Sequence, residues 1–562
     1  MSTNINPGNL PDLQELEKLA NQFFKAAPNE DISLPAASPY EASKPPVSVG
    51  GSGISPSAVH QGNAVNLQDP QTGFADPHLT ASVQPARPEP GRSLLPFELI
   101  PESLFHLPFQ QEQPFEKQLQ DVLNSITTTP SSPQIPLSGF GTDAAAYYFL
   151  KDKPTAALPG FDVNLIRKDF PILSERVNGK QLVWLDNAAT TQKPKQVIDR
   201  VSYFYEHENS NIHRAAHELA ARATDAYEGA RKKVQEFINA GSVNEIIFVR
   251  GATEAINLVA KSWGEQYLND GDEIIVSHLE HHANIVPWQQ LAAKKNLKIK
   301  VIPVDDDGQV LLDEYVKLIT SKTKLVAFTQ VSNALGTVTP AAQIVQIAHA
   351  AGAKVLVDGA QSVSHMPVDV RTLDADWFVF SGHKVFGPTG IGVVYGKEGL
   401  LNATQPWQGG GNMIKDVTFE HTIYHDAPGR FEAGTGNIAD AVGLGAAIDY
   451  VTRIGMGVIA QYEHFLLEYA TGLLKQVPGL RLIGTAPDKA SVLSFVLDGY
   501  KTEEVGAELN NQGIAVRSGH HCAQPILRRF GVESTVRPSL AFYNTCAEVD
   551  LLVHTLHNLK RK

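Results

Sequence analysis

Hydrophobic and polar positions follow two regimes along the chain. From about Phe161 onward, short apolar runs recur between longer stretches of helical periodicity. The runs are Leu182–Leu185, Glu245–Val249, Glu273–Val276, Lys298–Ile302, Leu325–Phe328, Lys354–Val357 and Trp377–Phe380. Such short runs, rich in Val, Ile and Phe, read as strands covered on both faces. Their alternation with helix-length segments predicts an α/β domain on a largely parallel sheet. Near the end, Thr545 and Glu548 read as a capping box. Val549, Leu552, Val553, Leu556 and Leu559 follow at helical spacing, so an amphipathic last helix is expected, with Cys546 in its first turn.

Before residue 150 the apolar positions are sparse and clustered. Leu13, Leu16, Leu19, Ala20, Phe23 and Phe24 form one helical stripe, opened by Asp12 and ended by Pro28. Phe115, Leu119, Val122, Leu123 and Ile126 form a second, with Leu94–Phe97 and Ala144–Leu150 as further patches. Residues 1–150 hold 20 of the 35 prolines, and 15 acids against 6 Lys and Arg. A segment so composed cannot bury enough apolar surface to offset its chain entropy, so it is expected to be mostly disordered. Burying one Leu or Phe yields roughly 1.5–3 kcal/mol against about 1–2 per ordered residue, so single patches dock weakly and several act by avidity. Docking on a partner is the expectation; folding back on the body is the alternative.

The expected division is therefore a docking extension over 1–155, a large domain over 156–425 and a small domain over 426–562. Residues 156–185 are expected to pack partly on the small domain. A net charge of −13 argues against nucleic-acid binding. No run of 18 apolar residues predicts a membrane span, and the first residues lack a secretory pattern. Two cysteines, Cys522 and Cys546, make no disulfide framework, so a cytoplasmic protein is expected.

The unusual residues fall just beyond the expected strands, where α/β sheets bind ligands. Asp358 ends one strand, and Lys384 follows another within Ser381-Gly-His383-Lys384. A partly desolvated lysine exposes more free amine for attack on carbonyls. Lysine plus a strand-end acid is what pyridoxal phosphate requires: a covalent anchor and a partner for the protonated ring nitrogen. Arg250-Gly-Ala-Thr253 opens a helix after a strand and suits a phosphate. His281, in Glu280-His281-His282, suits stacking on a flat cofactor better than metal binding, because no zinc spacing is completed. Asn333 places an amide beyond another strand. Gly409–Gly411 reads either as a phosphate cradle or as a loop hinge.

These segments resemble the class V aminotransferase-like pyridoxal enzymes: Asp186-Asn-Ala-Ala-Thr, Asn211-Ile-His213-Arg214, Glu280-His281-His-Ala-Asn-Ile-Val-Pro-Trp288, Asp358-Gly-Ala-Gln361 and Ser381-Gly-His383-Lys384. Arg430-Phe-Glu-Ala-Gly434-Thr435 and Arg517-Ser-Gly-His-His-Cys522 narrow the resemblance to SufS-type (group II) cysteine desulfurases and selenocysteine lyases, over residues 160–562. It implies a fold-type I transferase with a smaller α+β C-terminal domain, working as a homodimer. It further implies that Lys384 bonds to the cofactor, His281 stacks on it, Asp358 pairs with its nitrogen and Gln361 meets its phenolic oxygen. Thr253, Ser381 and His383 would hold the phosphate, with Thr435 reaching over from a second subunit. Asn333 and Arg537 would hold the substrate carboxylate, with Arg517 beside them. Ala252 and Gly436 depart from the family's usual Thr and Pro.

Cys522 separates a desulfurase from other pyridoxal enzymes. It lies in a polar, glycine-containing loop with Arg517, His520 and His521, basic company for a sulfur nucleophile. A loop free to swing between cofactor and exit is expected. Transamination, cysteine-sulfinate lysis and a catalytically idle scaffold are the alternatives. The head, in its layout, resembles that of desulfurases carried as cargo in family-two encapsulin shells. That resemblance implies packaging in an encapsulin nanocompartment; a sulfur acceptor of the SufE or SufU kind is the other implied partner.

Overall fold

The computed structural model describes residues 161–213 and 217–561; the patches of the head, and Arg214, lie outside the described residues. Seven strands build the central sheet: β1 (Ile246–Val249), β2 (Glu273–Ser277), β3 (Lys298–Ile302), β4 (Thr323–Thr329), β5 (Lys354–Asp358), β6 (Trp377–Ser381) and β7 (Gly392–Gly396). Their order is β1-β7-β6-β5-β4-β2-β3. Strands β2 to β6 pair in parallel, while β7 runs antiparallel to both neighbours. The expected α/β architecture is present.

Side chains of the sheet alternate between two cores, as a period of two demands. Ile274, Leu325, Ala327, Leu356, Trp377 and Val379 pack under one layer, which includes α3 (Ala252–Val259). Ile275, Val326, Phe328, Val355, Val357 and Phe380 pack under the other. Each such side chain, fully buried, contributes roughly 1.5–3 kcal/mol. At the edge, β3 exposes Lys298, which guards its unpaired side. The run Leu182–Leu185 does not join this sheet. Only Val183–Trp184 is extended, pairing in parallel with Ile514–Ala515, because Val183 and Leu185 bury in a separate core. Within this sheet, the strand absent from the expectation is β7, which begins and ends in glycine.

That separate core gathers around a four-stranded antiparallel sheet of β8 (Leu480–Leu482), β9 (Phe495–Leu497), β10 (Arg517–Gly519) and β11 (Thr535–Arg537), in the order β8-β9-β11-β10. Helices α5 (Met456–Leu474), α6 (Thr502–Asn511) and α7 (Cys546–Arg561) cover it. The last helix has its capping box: Thr545 N–H donates to Glu548 at 3.0 Å, and Glu548 N–H to Thr545 Oγ1 at 3.3 Å. Cys546 is half-buried against this core. Phe170 and Leu173 also bury there.

Helix α4 (Ile438–Ile454) spans the two cores: Val442 and Leu444 bury with the large sheet, Tyr450 and Val451 with the small one. It packs on α1 (Lys195–His207) and α2 (Glu218–Phe237). Among the described residues no single helix is long and apolar enough to cross a membrane; α4 and α5 qualify only jointly, bent by 75°.

Candidate active site

A cavity of about 540 Å³ opens at the carboxyl ends of the parallel strands. Strand β5 ends in Asp358 and its neighbour β6 in Ser381, followed at once by the turn Gly382–Lys384. Strand adjacency therefore puts the acid, the hydroxyl and the lysine on one wall. Strand β7 brings in the helix: a Cβ on Gly392 would lie 2.5 Å from Gly251 Cα and 2.7 Å from Phe380 O. That close approach seats the start of α3 on Ser381, whose Oγ accepts from Ala252 N–H at 2.9 Å.

The electrostatics of this wall favour a free amine. Burial pushes the Lys384 ammonium down to about 8, opposed by Asp358. Asp358 is buried, its carboxyl is raised by that burial, and one oxygen accepts from Ala360 N–H at 2.9 Å. His281 caps the turn His282–Asn284, accepting from Ala283 N–H through Nδ1 at 3.0 Å. Burial, with Lys384 nearby, holds it down to about 3, so its ring is neutral. Burial also lowers His383, to about 4. Gln361 Nε2 donates to Ala188 O at 2.7 Å.

The opposite wall comes from the second core. Arg537, on β11, is buried and donates through Nη1 to Asn333 O at 2.9 Å. Burial lowers it only to about 10, which leaves it cationic at neutral pH. Cys522 is exposed, beside Arg517 and His521 on the cavity lining. Its loop is hydrogen-bonded to both walls. His282 N–H donates to Cys522 O at 2.8 Å, Asn333 Nδ2 to His521 O at 2.7 Å, and the His521 ring meets Thr535 Oγ1 at 2.8 Å. Those bonds tie both walls together, and His521 and Cys522 both take left-handed backbone, with φ of 52° and 53°.

The cavity thus unites Thr253, His281, Asn333, Asp358, Gln361, Ser381, His383, Lys384, Arg517, Cys522 and Arg537. Thr435 is not among them; it lines a different cavity, with Trp407, and meets Asn211 Oδ1 at 3.4 Å. Gly411 sits beside Gly434, accepting its N–H at 2.8 Å, and the glycine run lines no part of the Lys384 cavity.

Sequence reading gave no role to three residues. Lys193 donates to His383 O at 3.2 Å, an oxygen that also receives Thr191 N–H and the Thr190 and Thr191 hydroxyls, each at 3.1 Å. Burial pushes Lys193 down to about 8. Glu280, fully buried, takes donors from Ser277 Oγ, from Asn284 Nδ2 at 2.6 Å and from Thr329 N–H at 3.0 Å. Burial raises it to about 8. Asp186 lies behind the arginines. Glu280 and Asp186 stood inside quoted motifs; Lys193 carried no signal separating it from a solvated lysine.

The donor set fits pyridoxal phosphate. It offers a buried amine with a loosely held proton, a strand-end acid, a neutral imidazole, and hydroxyls at a helix start. Asn333 Oδ1 and Arg537 Nε, on side chains lining the cavity, are buried without a partner and await a polar ligand. Among the described residues no three His, Cys, Asp or Glu gather as metal ligands.

Comparison with known proteins agrees with this site. Residues 183–552 match the family described as aminotransferase class-V. The chain is 66% identical over 428 residues to a cysteine desulfurase of Synechococcus elongatus, covering 76% of this chain and 67% of that protein. It is 51% identical to the cysteine desulfurase of Dickeya dadantii, over 71% of this chain and 97% of the other. The solved structure of the cysteine desulfurase CsdA (S-sulfonic acid) from Escherichia coli superposes with a TM-score of 0.66, at 39% identity, covering 71% of this chain and 99% of that one. The match spans about two thirds of the length of the Synechococcus relative. Fold and site define a member of the aminotransferase class-V family, with a donor set that fits pyridoxal phosphate. Within that family the chain belongs to the cysteine desulfurases.

Proposed function

We propose that the chain converts L-cysteine to L-alanine and keeps the sulfur as a persulfide on Cys522. The observation that carries this reading is that Lys384 and Cys522 line one cavity with a charged Arg537 on its wall. Thr253, Ser381 and His383 would hold the phosphate of pyridoxal phosphate, with His281 against its ring. Asp358 would sit at its nitrogen, Gln361 at its phenolic oxygen, and Lys384 would anchor it covalently. When bound, the cofactor supplies an electron sink for bond breaking at the substrate's Cα and Cβ.

The chain's own groups do the rest. Arg537 and Asn333, whose buried Nε and Oδ1 lack protein partners, orient the substrate carboxylate. Lys384, its proton loosely held, takes the Cα proton. The Cys522 thiolate attacks the substrate sulfur: an S–S bond forms and the Cβ–S bond breaks. Its electron pair stays with carbon: Cβ gains a proton and Lys384 returns one to Cα, giving alanine. Cys522→Ala is expected to retain cofactor absorbance while yielding neither persulfide nor alanine from cysteine; normal turnover by that variant would overturn the reading. Selenocysteine, with its better leaving group, remains a substrate in this account.

The partners follow from layout. Thr435, which stands outside its own chain's cavity, completes the phosphate site of a second copy in a homodimer. The exposed Cys522 hands sulfur to an acceptor of the SufE or SufU kind, or to storage. The proline-rich residues 1–155, with their spaced apolar patches, tether the enzyme inside an encapsulin shell within the cytoplasm. This last reading is supported by the composition of the head and by its layout before a desulfurase body.

A further inference from the structure

Lys193 is largely buried, yet it meets no acid. Its Nζ donates to Thr190 Oγ1 at 3.3 Å, to Thr191 O and to His383 O at 3.2 Å, and among the described residues no carboxylate pairs with it. Burial, unopposed, pushes its ammonium down to about 8. A charge withdrawn from water without a counter-charge costs stability, so its place in the fold asks for another reason.

The oxygen it reaches is unusual. A carbonyl has two lone pairs. His383 O nevertheless receives Lys193 Nζ, Thr191 N–H and the hydroxyls of Thr190 and Thr191, the last three each at 3.1 Å. Thr191 Oγ1 in turn accepts Phe386 N–H at 2.8 Å. The chain is therefore gripped just before Lys384 and again just beyond it. The gripping segment continues from Val183 and Leu185, which bury in the second core, so the clamp crosses from one core to the other. Thr190 lines the Lys384 cavity, whereas Lys193 stands behind it.

We propose that Lys193 is a positioning residue: by fixing the His383–Lys384 peptide it aims the Lys384 amine, first at the carbonyl of the cofactor and then at the Cα proton of the substrate. The second half of this inference rests on the desulfurase reading, in which Lys384 takes that proton and returns it. A peptide unit is planar, so an oxygen held by four donors fixes the plane from which the Lys384 side chain departs. An ammonium carries three donors and here gathers three oxygens into one arrangement. An apolar side chain of equal length fills the same space and gathers nothing. A reacting group displaced by about 1 Å loses up to about 10²-fold in rate, so small freedom at the turn has a large effect at the amine.

The test is Lys193→Met in the full-length holoenzyme. It is expected to lower kcat for L-cysteine by about tenfold while KM changes by less than about twofold. The isotope effect on kcat, read with L-cysteine deuterated at Cα, should rise, because proton transfer becomes the slow step. Lys193→Arg, which keeps a donating cation, should recover part of the loss. Lys195→Met, at an exposed lysine two positions on, should change nothing. The melting temperature should hold, since an unpaired charge leaves together with its bonds. Lys193→Gln, a shorter donor, carries the same test should Lys193→Met fail to fold. Normal kcat, or a lower melting temperature with an unchanged isotope effect, would overturn the proposal by making Lys193 merely structural. Should the unsubstituted enzyme release no alanine from cysteine, the desulfurase reading fails, and uptake of pyridoxal phosphate by the cofactor-free protein still decides the first half. Uptake about tenfold slower in Lys193→Met supports the aiming role, and an equal rate refutes it.

Discussion

A lysine amine attacks a carbonyl only in the fraction that has shed its proton, so the surroundings of Lys384 set how it meets the cofactor. Burial lowers its ammonium to about 8, and Asp358 keeps it from falling further. The sign is simple: below that value the amine is protonated and inert, above it free. Uptake of pyridoxal phosphate by the cofactor-free protein, followed by absorbance, should quicken as pH rises to about 8 and then level off. A rate still climbing toward the usual lysine range would contradict the desolvated setting. Lys384, Asp358 and Cys522 were legible in sequence because each is chemically odd where it stands. Lys193 was not: its role is a clamp on a main-chain oxygen 190 positions away, and only the folded chain separates that from a surface lysine.

At the level of elements, parallel strands buried on both faces announce themselves as apolar runs, and β2, β4, β5 and β6 were readable for that reason, whereas β3, expected to be covered likewise, is the half-exposed edge. Strand β7 was hidden because its job is close approach, which needs glycines that read as turns. The same economy governs the segment after β5. A Cβ on Gly359 would fall 1.9 Å from Cζ of Phe378, in β6. Gly359→Ala should cost about 1–3 kcal/mol through overpacking and, by shifting Asp358 and Gln361, lower cofactor occupancy. Gly399→Ala, with no atom within 4 Å of the added carbon, is the control that should leave the melting temperature unchanged or raised. Equal melting for both variants would refute the packing argument. The anchors of the Cys522 loop were not legible, because its hydrogen bonds come from His282, Asn333 and Thr535, distant in sequence.

On the scale of the molecule, the site exists because two cores face one another. One supplies Lys384 and Asp358, the other Arg537; the Cys522 loop runs between them, from β10 to Ala523, which buries with the large sheet, and Asp186 links to Arg537 across 351 positions. No local pattern records such a pairing; the motifs recorded the pieces. The head stands apart from this machinery in the proposed account. Removing residues 1–155 should leave kcat/KM for cysteine unchanged and abolish co-purification with an encapsulin shell. Packaging that survives the deletion would refute the tether.

The central claim is that the amine of Lys384 and the thiol of Cys522 serve one reaction. Brief exposure of the full-length holoenzyme to L-cysteine, alkylation and peptide mass analysis test it directly. The account predicts one additional sulfur atom on the Cys522 peptide, none on the Cys546 peptide, and none anywhere in Lys384→Ala. Alanine formed without sulfur on Cys522, or extra sulfur placed on Cys546, would contradict it.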